Sequence, residues 1–157
     1  MRRRKFLNYF ATAILASAFT GVRQAVAQVA ERIWPARPRE AFSADTLAQT
    51  IDALFGEREI LDSEKITITA AELAENGAVV PVKINTEFPH AKQITILASK
   101  NPVPLVGSFS FGARVQPFIA TRIKLAESSE IIAIVETDDG LYQARRFVEV
   151  TIGGCGA

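Results

Sequence analysis

The chain holds a single cysteine, Cys155, set in the stretch Ile152-Gly153-Gly154-Cys155-Gly156-Ala157. Glycine lacks a Cβ and adopts φ of either sign, so a thiol flanked by Gly153, Gly154 and Gly156 reads as a nucleophile on a flexible tether rather than a core residue. That chemistry suits a swinging arm, whose sulfur visits several sites while the body stays still. An ordinary thiol with pKa near 8.5 is only about 3% thiolate at pH 7. No local helix N-terminus lowers it, and the nearest cations are Arg145 and Arg146. Activation is therefore expected from a partner.

Other chemistry is poorly supplied. A thiol enzyme needs a base held beside the nucleophile. The one histidine, His90, lies in the turn-like stretch Phe88-Pro89-His90-Ala91 and reads as a solvated loop residue. One Cys and one His fall short of a zinc set, so no metal or cofactor is expected. Gly153 and Gly154 open no helix and form no phosphate loop. A lone cysteine also excludes an intramolecular disulfide, and the thiol then either carries something or pairs with another molecule.

The N-terminal residues bear on compartment. Arg3-Arg4-Lys5-Phe6-Leu7 matches a twin-arginine core, Phe10 to Val22 is a 13-residue apolar run, and Ala25-Val26-Ala27 is a small-residue cleavage site. Residues 1–27 thus read as a twin-arginine-type signal peptide, with the general secretory pathway as alternative and Arg23 weighing against it. The run is shorter than the roughly 20 residues that span a bilayer, so no membrane anchor is expected. Export would leave 13 basic and 17 acidic residues, because five of the 18 basic side chains fall within 1–27. A net charge of −4 without a basic face argues against nucleic acid.

The elements that must position the thiol follow from periodicity. Residues 28–42, with Pro35, Pro38 and Trp34, read as a lead-in. Leu47, Ile51, Leu54 and Phe55 form one helical stripe, with Ser43 as the expected N-cap and Gly56 as the C-cap. Beyond it the pattern is strand: Ile66 to Thr69, Val80 to Ile84, Ile94 to Ile96, Phe109 with Phe111 as alternating core residues, Ile119 to Leu125, and Ile131 to Glu136 joined to Leu141 to Ile152 through Asp138-Asp139-Gly140. Glu75-Asn76-Gly77 reads as a turn, Pro102 and Pro104 as an edge or loop, and Glu72 with Glu75 as a solvated pair. About seven strands predict a mainly β fold, an antiparallel β-sandwich of immunoglobulin-like type with one N-terminal amphipathic helix. Its domain is expected over residues 43–152, followed by the Gly-Cys arm at 153–157. With Val150 held in the sheet, the arm from there to Cys155 spans five residues, a reach of roughly 17 Å.

Four segments carry a family resemblance: the twin-arginine-like start; Ala74-Glu75-Asn76-Gly77-Ala78-Val79-Val80-Pro81-Val82; Asn101-Pro102-Val103-Pro104-Leu105; and Val150-Thr151-Ile152-Gly153-Gly154-Cys155-Gly156. Arg122-Ile123-Lys124-Leu125-Ala126 fits as well. The chain resembles the SoxY family, the sulfur-carrier subunits of the periplasmic thiosulfate-oxidising Sox system, with Ala157 in place of the family's terminal glycine. The resemblance implies that Cys155 is the covalent attachment point, as a cysteine S-thiosulfonate. It also implies a heterodimer with a SoxZ-like subunit, loading by a SoxAX-like cytochrome, hydrolysis by a SoxB-like enzyme and, where present, oxidation by a sulfur dehydrogenase. On that reading the chain is a carrier and not an enzyme. The competing readings are a secreted interaction module that uses Cys155 for a disulfide-linked dimer, and a redox enzyme acting alone.

Overall fold

The computed structural model describes residues 39–152. The expected signal peptide at 1–27, the lead-in up to residue 38 with Trp34, and the Gly153 to Ala157 arm with Cys155 lie outside the described residues.

A first helical turn, α1 (Arg39–Phe42), buries Ala41 completely. The amphipathic helix α2 (Leu47–Phe55) follows. Its N-cap is Thr46, whose Oγ1 accepts from the Gln49 amide at 3.3 Å, and not Ser43. Ser43 is engaged one turn earlier, where its hydroxyl donates to the Arg39 carbonyl at 3.0 Å and closes α1. The expected C-cap holds: Gly56, at φ 61°, donates to the Asp52 carbonyl at 2.8 Å in a conformation that strains a residue bearing Cβ.

Nine strands follow: β1 (Ile60–Asp62), β2 (Ile66–Ala70), β3 (Leu73–Ala74), β4 (Val80–Thr86), β5 (Gln93–Ala98), β6 (Leu105–Ser110), β7 (Phe118–Ile123), β8 (Ser129–Glu136) and β9 (Leu141–Val150). The larger sheet runs β1-β9-β8-β5-β6, with β3 also on β9, and the smaller runs β2-β4-β7. The immunoglobulin-like sandwich expected from the sequence is the observed architecture. Its main ladders are antiparallel, while the short β1 and β3 pair with β9 in parallel.

Strand alternation builds the core. In β4, Val80, Val82, Ile84 and Thr86 are buried while Pro81, Lys83 and Asn85 are exposed, the period-2 pattern of a sheet with one wet face. These residues meet Ile94, Ile96, Ile131, Ala133, Val135 and Val148 between the sheets. A second core lies on the outer face of the larger sheet, where Leu97, Leu105, Ile132, Ile134 and Leu141 pack against Ala41, Phe55 and the partly buried Leu47, Ile51 and Leu54. The sandwich therefore has a third, helical layer.

The Phe109 and Phe111 expectation needs correction. Phe109 lies on the edge strand β6, its ring along Gly107, and is 39% exposed; Phe111 lies past the strand end and packs partly on the core. Alternation gave the period correctly, but an edge strand has a neighbour on one side only. Pro102 and Pro104, which have no amide to give a ladder, sit in the β5–β6 loop as expected, and the Pro104 carbonyl accepts from the Ala98 amide at 2.9 Å.

Candidate functional site: the root of the Cys155 segment

What the described residues define is the seat from which the Cys155 segment departs. Strand β9 carries the chain to Val150 at one end of the sandwich, where β3, the turn after it and the β7–β8 loop bond to it. The Glu149 amide donates to the Glu72 carbonyl at 2.8 Å and the Thr151 amide to the Ala74 carbonyl at 3.1 Å, extending the parallel β3–β9 ladder. From the β7–β8 loop, Ser128 Oγ accepts from the Val150 amide at 2.9 Å.

The turn at 75–79 completes the clasp. Asn76 Oδ1 accepts from the Ala78 amide at 2.8 Å, a side-chain turn that the Glu75-Asn76-Gly77 signal predicts. The folded turn presents the Glu75 carbonyl to the Thr151 hydroxyl at 2.9 Å and the Gly77 amide to the Ile152 carbonyl at 2.8 Å. On its other side the Gly77 carbonyl accepts from the amide of the fully buried Leu125 at 2.8 Å. Gly77 thus ties the end of β9 to the core through its own two main-chain groups.

One further brace stands behind the clasp. Asn101 Nδ2 donates to the Lys124 carbonyl at 2.8 Å and Oδ1 accepts from the Ala126 amide at 2.9 Å, so the β5–β6 loop holds the segment leaving β7. These bonds give physical roles to the Ala74–Val82, Asn101–Leu105 and Arg122–Ala126 stretches. Sequence reasoning singled out those stretches without a role for them, because every partner is remote in the chain. Ser128, Gly77, Asn76 and Thr151 were not expected as site residues; the turn signal marked Asn76 and Gly77, the stretches that carry the family resemblance contain those two and Thr151, and nothing pointed to Ser128.

The anchorage also shortens the tether. The last clasp bond is at Ile152, two residues beyond the expected anchor at Val150. Three residues then lead to Cys155, a span of at most about 11 Å instead of roughly 17 Å.

The two cations nearest in sequence are already engaged. Arg145 lies 3.6 Å from Glu130, and Arg146 lies 3.5 Å from Glu72 and donates to the Ala70 carbonyl at 3.4 Å. Glu72 and Glu75 are both exposed, as expected of a solvated pair, and the Arg146 contact is a surface one with the Glu72 side chain 90% exposed. His90 is placed at the opposite end of the sandwich, in the β4–β5 loop, where it lines a cavity of about 260 Å³ with Lys92, Phe111, Val115 and Asp138. There the hydrogen-bonded Lys92–Asp138 ion pair holds the Asp138 carboxyl below the usual range and the Lys92 ammonium above its own. Among the described residues no three His, Cys, Asp or Glu side chains are grouped to hold a metal, and no helix is long and apolar enough to cross a membrane.

The profile of the family described as "Sulfur oxidation protein SoxY" matches residues 51–155, a span that includes both the clasp and Cys155. A solved structure, that of the sulfur carrier protein SoxY from Chlorobium limicola f thiosulfatophilum, is 39% identical in sequence with a TM-score of 0.62. The match covers 68% of this chain and 97% of that one. No curated protein matches the chain. With the profile spanning most of its length and a relative of this identity sharing its sandwich, the chain belongs to the SoxY family of sulfur oxidation proteins.

Proposed function

We propose that this protein is a periplasmic covalent carrier of sulfur intermediates in thiosulfate oxidation, with the substrate attached to the Cys155 thiol. The observation that carries the reading is the extent of the family match, which runs through the clasp to Cys155. The clasp gives the reading a physical basis: a body built to hold one short segment at a fixed point presents the thiol without taking part in the reaction.

A SoxAX-like cytochrome joins Cys–SH to thiosulfate, forming Cys–S–S–SO3−. The S–H bond breaks, one proton leaves to solvent and a pair of electrons passes to haem. A SoxB-like hydrolase then adds water across the S–SO3− bond, releasing sulfate and leaving a persulfide on Cys155. A sulfur dehydrogenase, where present, oxidises the sulfane sulfur. Through all of these steps the sulfur stays covalent, so no reactive intermediate diffuses away. A SoxZ-like subunit forms the heterodimer, Gly153, Gly154 and Gly156 supply the arm's freedom, and residues 1–27 direct export.

Intact-mass spectrometry of the exported protein, purified without reductant from thiosulfate-grown cells, tests this. Reducible thiosulfate or sulfur adducts on Cys155 are expected, and Cys155→Ser removes them while leaving the circular dichroism spectrum unchanged. An unmodified thiol, or only a Cys155 disulfide dimer, shifts the assignment to an interaction module.

A further inference from the structure

We propose that Asn76-Gly77 is a self-modification site, a deamidation switch that the closed clasp holds off and that unfastens the clasp for good once it reacts. The chemistry needs only water and does not depend on the carrier reading. Of the asparagines Asn8, Asn76, Asn85 and Asn101, only Asn76 is followed by glycine. Gly77 has no Cβ to crowd an approach of its nitrogen to the preceding side chain, whereas Tyr9 and the β-branched Thr86 do, and Pro102 has no N–H to give up.

The Gly77 main-chain nitrogen attacks the carbonyl carbon of the Asn76 side chain. That nitrogen loses its proton to solvent base, the new C–N bond closes a five-membered succinimide ring, and the bond to Nδ2 breaks. The side-chain nitrogen takes up a proton and leaves as ammonia. Water then opens the ring at either carbonyl, giving aspartate, or isoaspartate in which the main chain runs through the former side chain. No electrons change hands.

Two hydrogen bonds act on opposite sides of this reaction. The Ala78 amide donates to Asn76 Oδ1 at 2.8 Å. It sits on the oxygen where negative charge develops during the attack, as a donor in an oxyanion hole does. Asn76 is exposed, so water and base reach it. The nucleophile, by contrast, is withheld. Gly77 is buried, its amide donates to the Ile152 carbonyl at 2.8 Å and its carbonyl accepts from the Leu125 amide at 2.8 Å. Its N–H is free neither to lose a proton nor to swing toward the side chain. Release of Ile152 frees it, and the same opening lets the amide exchange its hydrogen.

The two products differ in what they leave of the clasp. Aspartate at position 76 keeps an acceptor for the Ala78 amide. Isoaspartate lengthens the main chain by one atom just before Gly77, which then cannot meet both Ile152 and Leu125.

Wild type, Thr151→Val and Ser128→Ala are held at mildly alkaline pH in oxygen-labelled water, with label at Asn76 followed by peptide mapping and hydrogen exchange at the Gly77 amide measured in the same buffer. Conversion in wild type should be at least about tenfold slower folded than in urea, where no clasp exists. Each variant removes one neutral bond at the root and should raise conversion and exchange by a common factor, about two- to twelvefold, with Asn85 unchanged. Equal rates in folded and unfolded protein overturn the proposal, as does faster exchange at Gly77 without faster conversion. The isoaspartate form, separated by ion exchange, should lose exchange protection at the Thr151 amide, whereas Asn76→Asp should keep most of it. Full protection in the isoaspartate form shows that the clasp survives the modification and overturns its role as a switch.

Discussion

The two ends of the sandwich are built by different physics. At the arm end, the bonds that hold the root join main-chain groups to one another or to neutral hydroxyl and amide side chains, Thr151, Ser128, Asn76 and Asn101, and the one ion pair beside them, Arg146 with the 90% exposed Glu72, is a long surface contact of 3.5 Å. At the far end, Lys92 pairs with Asp138 and Arg58 with Glu136 at 2.8 Å, around the Thr137–Gly140 turn and the open cavity beside His90. Short neutral bonds backed by buried groups such as Leu125 fix position and carry no charge to titrate or screen. Exposed ion pairs are weak, mobile and salt-sensitive. The molecule thus puts its least condition-dependent contacts where a short tether needs a constant origin.

The largest test of that contrast is Asn101→Ala. It leaves the Lys124 carbonyl and the Ala126 amide without their partner and should cost about 1–3 kcal/mol. Thermal denaturation followed by circular dichroism should then show a Tm several degrees lower. A Tm within a degree of wild type would mean that the brace behind the clasp is ornamental and that the two ends differ less than their bonding suggests.

Thr151→Val is smaller globally and sharper locally. It removes the hydroxyl bond to the Glu75 carbonyl and keeps the side-chain shape, a net loss of about 0.5–1.5 kcal/mol. Global stability should hardly move. Hydrogen exchange at the Gly77 and Thr151 amides, which bond to Ile152 and Ala74, should nonetheless quicken relative to amides of the β5–β8 ladder. Unchanged exchange there would show that the main-chain bonds hold the root without the hydroxyl.

How far the sequence revealed these features depends on how local their causes are. Helix α2 was legible because Leu47, Ile51, Leu54 and Phe55 fall on one stripe, yet its cap was misplaced, since Ser43 and Thr46 are both competent and only the existence of α1 decides between them. The long strands and the Asp138-Asp139-Gly140 hairpin were legible from alternation and turn chemistry. Strands β1 and β3, three and two residues long, have too few positions to show a period and exist because β9 offers them an edge. The clasp was hidden for the same reason: residues 72–77 meet 149–152 only after the sheets have formed. The identity of the thiol could be read from composition, whereas the point at which its tether begins could not.

The smallest effect is expected at the far end, from Asp138→Asn. In the wild type the Asp138 carboxyl is lowered from its ordinary 3.8 by the hydrogen bond and charge of Lys92, so its contribution to stability is present above that value and lost as pH falls through the lowered one. Lys92 is raised from 10.5, so its contribution is present below that value and lost as pH climbs past it. Between roughly pH 5 and 9 both groups are charged and the pair contributes a constant amount, small because both side chains are exposed. A slight Tm difference between wild type and Asp138→Asn should therefore hold steady across that window, shrink with added salt and vanish in acid. Exchange at Gly77 and Thr151 should be the same in both proteins at every pH, because no titrating side chain takes part in the clasp bonds. If exchange at the arm root instead followed the Asp138 titration, the ends would be coupled through the sheets, and the origin of the tether would not be insulated from the charge at the other end.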